Sequence, residues 1–274
     1  MYKGDKWFFD EFADRDPRLY DNIDKEGLRL EGTVAVYAAT GYFAHLFVNP
    51  DLKTVPGGMS STNITDAPVM KLNEVMMNYI EAAAELADMG QYTLTQGDFD
   101  KTINALRNRP STSMPAVTLA GSNLAVNGVT INDPDRDKGQ MKSGDYEVSP
   151  ILWEVRRERR TELPYQGIRF NDLRRWGKLH YADMKVNPKL NLGAWLDKDA
   201  YVAWFNEQNG TSLTVEDLKG IHLDREGNAG YIVPAIDASL LRTCEDKHYL
   251  YPIPSQEIAL YQSNGYTLSQ NPGW

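Results

Sequence analysis

The sequence predicts a mainly α fold, with helical hairpins carrying long loops and a few short β-strands. Three observations predict it. Leu72, Val75, Met76, Tyr79, Ile80 and Ala83 recur at helical spacing within 69–88 and form one apolar stripe. A second stripe, Phe99, Ile103 and Leu106, follows a short connection, behind Thr95 and Asp98 in capping-box positions. Ser149-Pro150 then opens a third helix through Ile151, Leu152, Val155 and Leu163, with Ser as cap and Pro at the first helical position.

Each remaining segment has its own signal. Residues 1–30 alternate aromatics with charges, and Pro17 pushes Asp16 out of helical geometry, so a turn is expected there. The β-branched and aromatic content of 33–48 predicts one or two short strands. Residues 49–68, with Gly57-Gly58 and two prolines, read as a loop. Gly90 stops the first helix and Pro110 the second. This pair resembles one tetratricopeptide unit, which needs neighbours to bury both faces. Residues 111–147 read as a long polar loop, and Pro164 and Gly167 end the third helix. A shorter fourth helix is expected near 169–179, irregular chain over 180–246, and extended chain over 249–274 around Pro252 and Pro254. No linker divides the chain, so 1–274 is expected to be one domain.

Composition narrows the function. A chain of 274 residues that is 42% hydrophobic can bury a core. Its net charge of −9 counts against nucleic-acid binding, which needs clustered positive charge. The single cysteine, Cys244, cannot form an internal disulfide, and its acidic neighbours Glu245 and Asp246 do not suit a nucleophilic thiol. The four histidines (45, 180, 222 and 248) lack paired metal spacing. Asp224, Glu226 and Asn228 suggest calcium only loosely and read as a surface turn. No phosphate loop or nucleophile elbow occurs, so no cofactor, metal or catalytic residue is expected. No signal peptide and no run of about 18 apolar residues is present, which taken alone reads as a soluble chain and is equally consistent with an exporting segment upstream of Met1.

The segment from Glu154 to Arg175 holds seven arginines (156, 157, 159, 160, 169, 174, 175) interleaved with four acids (154, 158, 162, 172) and no lysine. A solvated face of i,i+4 pairs, a partly buried network locking helices together and a basic nucleic-acid helix are the three readings. The interleaved acids oppose the last. The exclusive use of arginine favours the network, because its planar fork pairs carboxylates and tolerates burial.

These residues carry a resemblance. The runs 153–163 (WEVRRERRTEL) and 167–176 (GIRFNDLRRW) are similar to the SusD/RagB family pattern. Four further segments agree in order: Arg15-Asp16-Pro17-Arg18; Thr40-Gly41-Tyr42-Phe43; the hairpin runs 78–86 and 103–109; and 249–258 with 270–274. His45-Leu46 stands where the family usually has a basic pair, and Pro164 and Gln166 where Ala and Glu are usual. The resemblance implies a SusD-like fold and the C-terminal half of a longer chain whose N-terminal half and lipoprotein signal are absent here. It implies a non-catalytic protein that binds glycans at the bacterial outer surface, anchored by lipid, and delivers them to a SusC-type TonB-dependent transporter. A glycoside hydrolase accessory enzyme and a helical-repeat scaffold for protein partners are the alternatives.

Sugar recognition uses aromatic faces and planar hydrogen-bonding groups. Trp7, Tyr37, Trp195, Tyr201 and Trp204 fall in loop-like or edge regions and are the candidate platforms, the competing reading of each being an anchor that holds its loop on the core. Asn206 follows Trp204 closely and is the expected hydroxyl partner, with Gln208 and Asn209 beside it.

Overall fold

The computed structural model describes residues 5–44, 46, 66, 68–134, 136 and 148–274. A short helix α1 (Phe8–Phe12) opens them, and the next long element is α2 (Leu72–Asp88). α2 buries Met77, Ile80 and Ala84, and ends where Gly90 turns to φ +70° so that its N–H and that of Gln91 reach back to Ala87 and Leu86. The Thr95–Asp98 capping box opens α3 (Gln96–Phe99), which runs through a π turn at Asp100–Asn104 into α4 (Ala105–Arg107). Phe99, Ile103 and Leu106 are buried, as their spacing predicted.

Residues 117–130 depart from the expected loop. β1 (Val117–Ala120), β2 (Asn123–Val126) and β3 (Val129–Thr130) form an antiparallel meander. Asn127 and Gly128 both take positive φ between β2 and β3, the two-residue turn whose twist matches paired strands. The hairpin buries Val117 and Leu124 in one core with α2 and with α5 (Pro150–Glu162). Ser149 caps α5 by accepting from the Leu152 N–H, and Pro150 takes the first position. α6 (Arg169–Arg175) follows.

A second core gathers Phe8, Phe12, Ile23, Leu30, Leu196, Tyr201 and Ile232. Here β4 (Trp195–Asp197) pairs antiparallel with β5 (Ala229–Tyr231), and α7 (Lys198–Asn209) lies between them in sequence. The helix was not expected in this stretch, although Tyr201, Trp204 and Phe205 stand at helical spacing. Asp197 caps it and Gly210, at φ +62°, ends it. Strands expected within 33–48 do not form among the described residues, where Ala44 makes only an isolated bridge to Ile23. Gly32 and Gly41 turn the chain at positive φ, so it folds back irregularly on Arg29 and Asp24. Residues 45 and 47–48 lie outside the described residues, as do 49–65 and 67 of the expected loop. The C-terminal stretch contains α8 (Ser255–Ser263), since Pro252 and Pro254 precede the helix rather than interrupt it.

The charged segment takes the network reading. Glu158 is 2% exposed, and accepts from Arg18 (3.0 Å) and from Arg107. Glu162 pairs with Arg109 through both oxygens (2.7 and 2.9 Å) and with Asn73 (3.0 Å). Asp172 binds Arg159 (2.8 Å) and Arg175 (2.9 Å), and Glu81 accepts from Arg175 (2.6 Å) and the Trp176 indole. Burial opposes ionisation of Glu158, but Arg18 and Arg107 outweigh it and hold its carboxyl below the usual range.

Replacing Glu158 with Ala leaves two buried guanidiniums short of a partner. The expected loss is about 3–5 kcal/mol, read from urea unfolding. A loss under about 1 kcal/mol would show the pair to be dispensable. Because the folded carboxyl titrates below its unfolded value of about 4.3, this stabilisation is complete above that pH and is lost as pH falls through the folded value. The acid arm of the stability curve is therefore expected to flatten in Glu158→Ala.

Candidate functional site

The period of two along β4 sends Leu196 into the core and leaves Trp195 half-buried on the other face. Its register partner is Tyr231, with ring centroids 5.1 Å apart and planes at 72°. Gly230 faces inward where a Cβ would stand 2.7 Å from Asp224 Oδ1. That close approach lets Asp224 accept from the Tyr231 N–H (2.8 Å) and folds the 224–228 turn against the strands. The turn places the Arg225 guanidinium 5.0 Å from the Trp195 ring centroid and 5.8 Å from that of Tyr231. Arg225 donates to both oxygens of Asp224 (3.0 Å each), which holds the Asp224 carboxyl below its ordinary value. Asp5 completes the group, accepting from the Tyr231 hydroxyl (2.7 Å) and lying 3.5 Å from Arg225.

Trp7 follows two residues after Asp5, within about 7 Å of chain. It packs edge-on against Trp204 (6.0 Å, 73°), and Phe9 meets the same indole at 5.6 Å. The Trp204 ring lies directly on Gly27, where any Cβ would come within 2.7 Å. Trp7 and Trp204 are half-buried and Phe9 is 37% exposed, so these three rings form a second aromatic group, tied to the first through the short run of chain from Asp5 to Trp7.

Of the six expected residues, Trp195 stands half-buried beside Tyr231 and Arg225, and Trp7 and Trp204 stand half-buried against each other. Tyr201 offers no face, since it is fully buried with its hydroxyl donating toward Leu28 O and Thr33 Oγ1 (3.3 Å each). It is a core residue, because α7 turns that position inward. Asn206 is also committed elsewhere. Its amide donates to Leu213 O (2.8 Å), and its carbonyl accepts from Leu213 N (2.7 Å) and Thr211 Oγ1 (2.8 Å), closing the loop after α7. Tyr37 is 47% exposed and points its hydroxyl at Glu31 (3.3 Å), apart from this cluster. Sequence reading missed Tyr231, Arg225, Asp5 and Phe9, because strand register and the 224–228 turn bring the first three together.

Among the described residues no group of His, Cys, Asp and Glu is placed to hold a metal ion, and no helix is long and apolar enough to cross a membrane. Asn206→Ala should lower stability by about 1–3 kcal/mol, because it unpairs the Leu213 backbone, while leaving the Trp195 surface intact. Thermal unfolding measures the first effect. An unchanged melting temperature would contradict this structural role.

Comparison with known proteins places the chain. The model of the SusD family matches residues 2–274. Among solved structures, a SusD-like carbohydrate-binding protein from Bacteroides fragilis is similar at 24% identity over 94% of this chain and 43% of its own, with a TM-score of 0.49. The protein BT4246 is similar at 23% identity over 87% of this chain and 29% of its own, with a TM-score of 0.47. The chain thus spans less than half the length of either. No match was found among curated proteins. With the family pattern matched over nearly every residue, the chain belongs to the SusD family.

Proposed function

We propose that this chain binds glycan without catalysis, and that its ligand lies along the surface built from Trp195, Tyr231 and Arg225. The observation that carries the reading is their arrangement. Two half-buried rings meet edge to face, at 72°, beside a guanidinium fixed by Asp224. The rings offer apolar area to the CH face of a pyranose, while Arg225 and Asp5 bring planar donors and acceptors to its hydroxyls. The second aromatic group, through Trp7 and Trp204, would extend the same surface along an oligosaccharide.

Membership of the SusD family supports the wider setting: a lipid-anchored position on the bacterial outer surface and delivery of glycan to a SusC-type TonB-dependent transporter. A hydrolase reading gains nothing from this surface. Glycoside hydrolysis needs a carboxyl kept protonated as general acid beside an ionised one, and Arg225 fits Asp224 only to the ionised role, so Asp224 supplies no general acid.

Affinity electrophoresis across a polysaccharide panel, with thin-layer chromatography of the same incubations, tests the proposal. Retardation without released oligosaccharide is expected for at least one polysaccharide. Trp195→Ala should weaken it about tenfold, equivalent to about 1.4 kcal/mol. Released products would overturn the non-catalytic reading. Retardation unchanged in both Trp195→Ala and Arg225→Ala would move the ligand elsewhere.

A further inference from the structure

The sequence holds three Asn-Gly pairs, at 127–128, 209–210 and 264–265. Such a pair is chemically labile, because glycine leaves the following backbone nitrogen sterically open to the asparagine side-chain carbon. The fold treats the three differently. Two lie at helix ends, where the reacting atoms are tied down. Asn209 ends α7: its amide donates to Phe205 O (2.9 Å), and the Gly210 N–H donates to Asn206 O (2.8 Å). Asn264 follows α8 in the same way, its amide donating to Leu260 O (2.8 Å) and the Gly265 N–H to Gln262 O (3.0 Å).

Asn127 and Gly128 instead form the turn between β2 and β3. Both are exposed, and neither the Asn127 amide nor the Gly128 N–H has a hydrogen-bond partner among the described residues. That follows from a two-residue turn, whose ladder closes on the flanking pair, here Val126 and Val129. Nothing packs over Gly128, where a Cβ would meet no atom within 4 Å. The nucleophile and the carbon it attacks are therefore both left free at this pair.

We propose that Asn127 is a site of spontaneous deamidation, with water as the co-reactant. The Gly128 nitrogen bonds to Asn127 Cγ as the Cγ–Nδ2 bond breaks, and the displaced nitrogen leaves as ammonia with the proton that Gly128 gives up. Water then adds to the resulting cyclic imide. Opening at the side-chain carbonyl gives aspartate, and opening at the main-chain carbonyl gives isoaspartate. Amide and water become acid and ammonia, with no oxidant or reductant. Either product adds a negative charge to a chain already at −9. Isoaspartate also lengthens the main chain by one carbon. A two-residue turn has no room for it, so the Val126–Val129 pair and the bond from the Ile131 N–H to Leu124 O (2.8 Å) would open. β3 buries neither of its residues, so both cores survive the change. Asn209 and Asn264 react only when their helix ends open, which slows them by the opening equilibrium. The inference is independent of the glycan reading.

Incubation of the full chain at mildly alkaline pH, in native buffer and in concentrated urea, tests the proposal. Peptide mass spectrometry reads the amide-to-acid mass gain at each asparagine, and methylation by a protein isoaspartyl methyltransferase counts isoaspartate. In native buffer Asn127 should convert at least tenfold faster than Asn209 or Asn264. In urea the three rates should converge, because only the fold distinguishes them. Asn127→Gly keeps a residue suited to the turn and should remove most of the methylation of the native chain. Native conversion of Asn209 or Asn264 at the rate of Asn127 would overturn the proposal. So would an intact Asn127 in a native chain whose urea-unfolded form deamidates. Conversion at Asn127 without any isoaspartate would overturn the imide route.

Discussion

Arg18 and Glu158 form the contact on which the arrangement of the molecule depends. Arg18 belongs to the turn that follows α1, whose aromatic residues build the second core. Glu158 belongs to α5, which builds the first. Their side chains are 4% and 3% exposed and meet at 3.0 Å, so the pair ties the two cores at a dry junction. Burying two charges is unfavourable unless each finds several partners. Arg18 also binds Asp16, and Glu158 also binds Arg107, so each charge is shared. From there pairs run through Glu162 to Arg109, and a parallel set links Arg159, Asp172, Arg175 and Glu81. Helices α2, α4, α5 and α6 therefore meet around charge rather than around apolar side chains alone. The planar fork of arginine makes such multiple pairing possible, which is why no lysine stands in this segment.

The functional surfaces hang from this junction. Residues 5–12 contribute Asp5 to the Trp195–Tyr231–Arg225 group, and Trp7 and Phe9 to the rings packed on Trp204. Arg18 lies six residues on and clamps the same segment to α5. A shift of that segment would move both groups together.

The helical part of this architecture was legible because its signals are local. The Thr95–Asp98 box, the Ser149-Pro150 opening and the stripe through Ile80 each act within one or two turns. The buried network was legible in kind, through its arginines, but its long-range partners Arg18 and Arg107 were not. The meander was missed although Asn127-Gly128 between alternating apolar residues announces a hairpin; a polar loop reading overrode it. α7 was missed for a similar reason, since turn residues on either side hid the spacing of Tyr201, Trp204 and Phe205. That error decided the site. Once the stretch is helical, Tyr201 must face inward and Asn206 falls at the helix end, where its amide closes a loop. Tyr231 and Arg225 could not be paired with Trp195 without the strand register and the close approach at Gly230.

Native-state hydrogen exchange across a denaturant series tests most directly whether charge joins the two cores. If Arg18 and Glu158 couple them, the slowest amides of α2 and α5 will merge with those of α7 and the β4–β5 pair into one opening of equal free energy and equal denaturant dependence. Exchange of α7 and β4–β5 at distinctly lower free energy, with α2 and α5 still protected, would contradict the coupling and make the junction a simple contact between two separately stable cores.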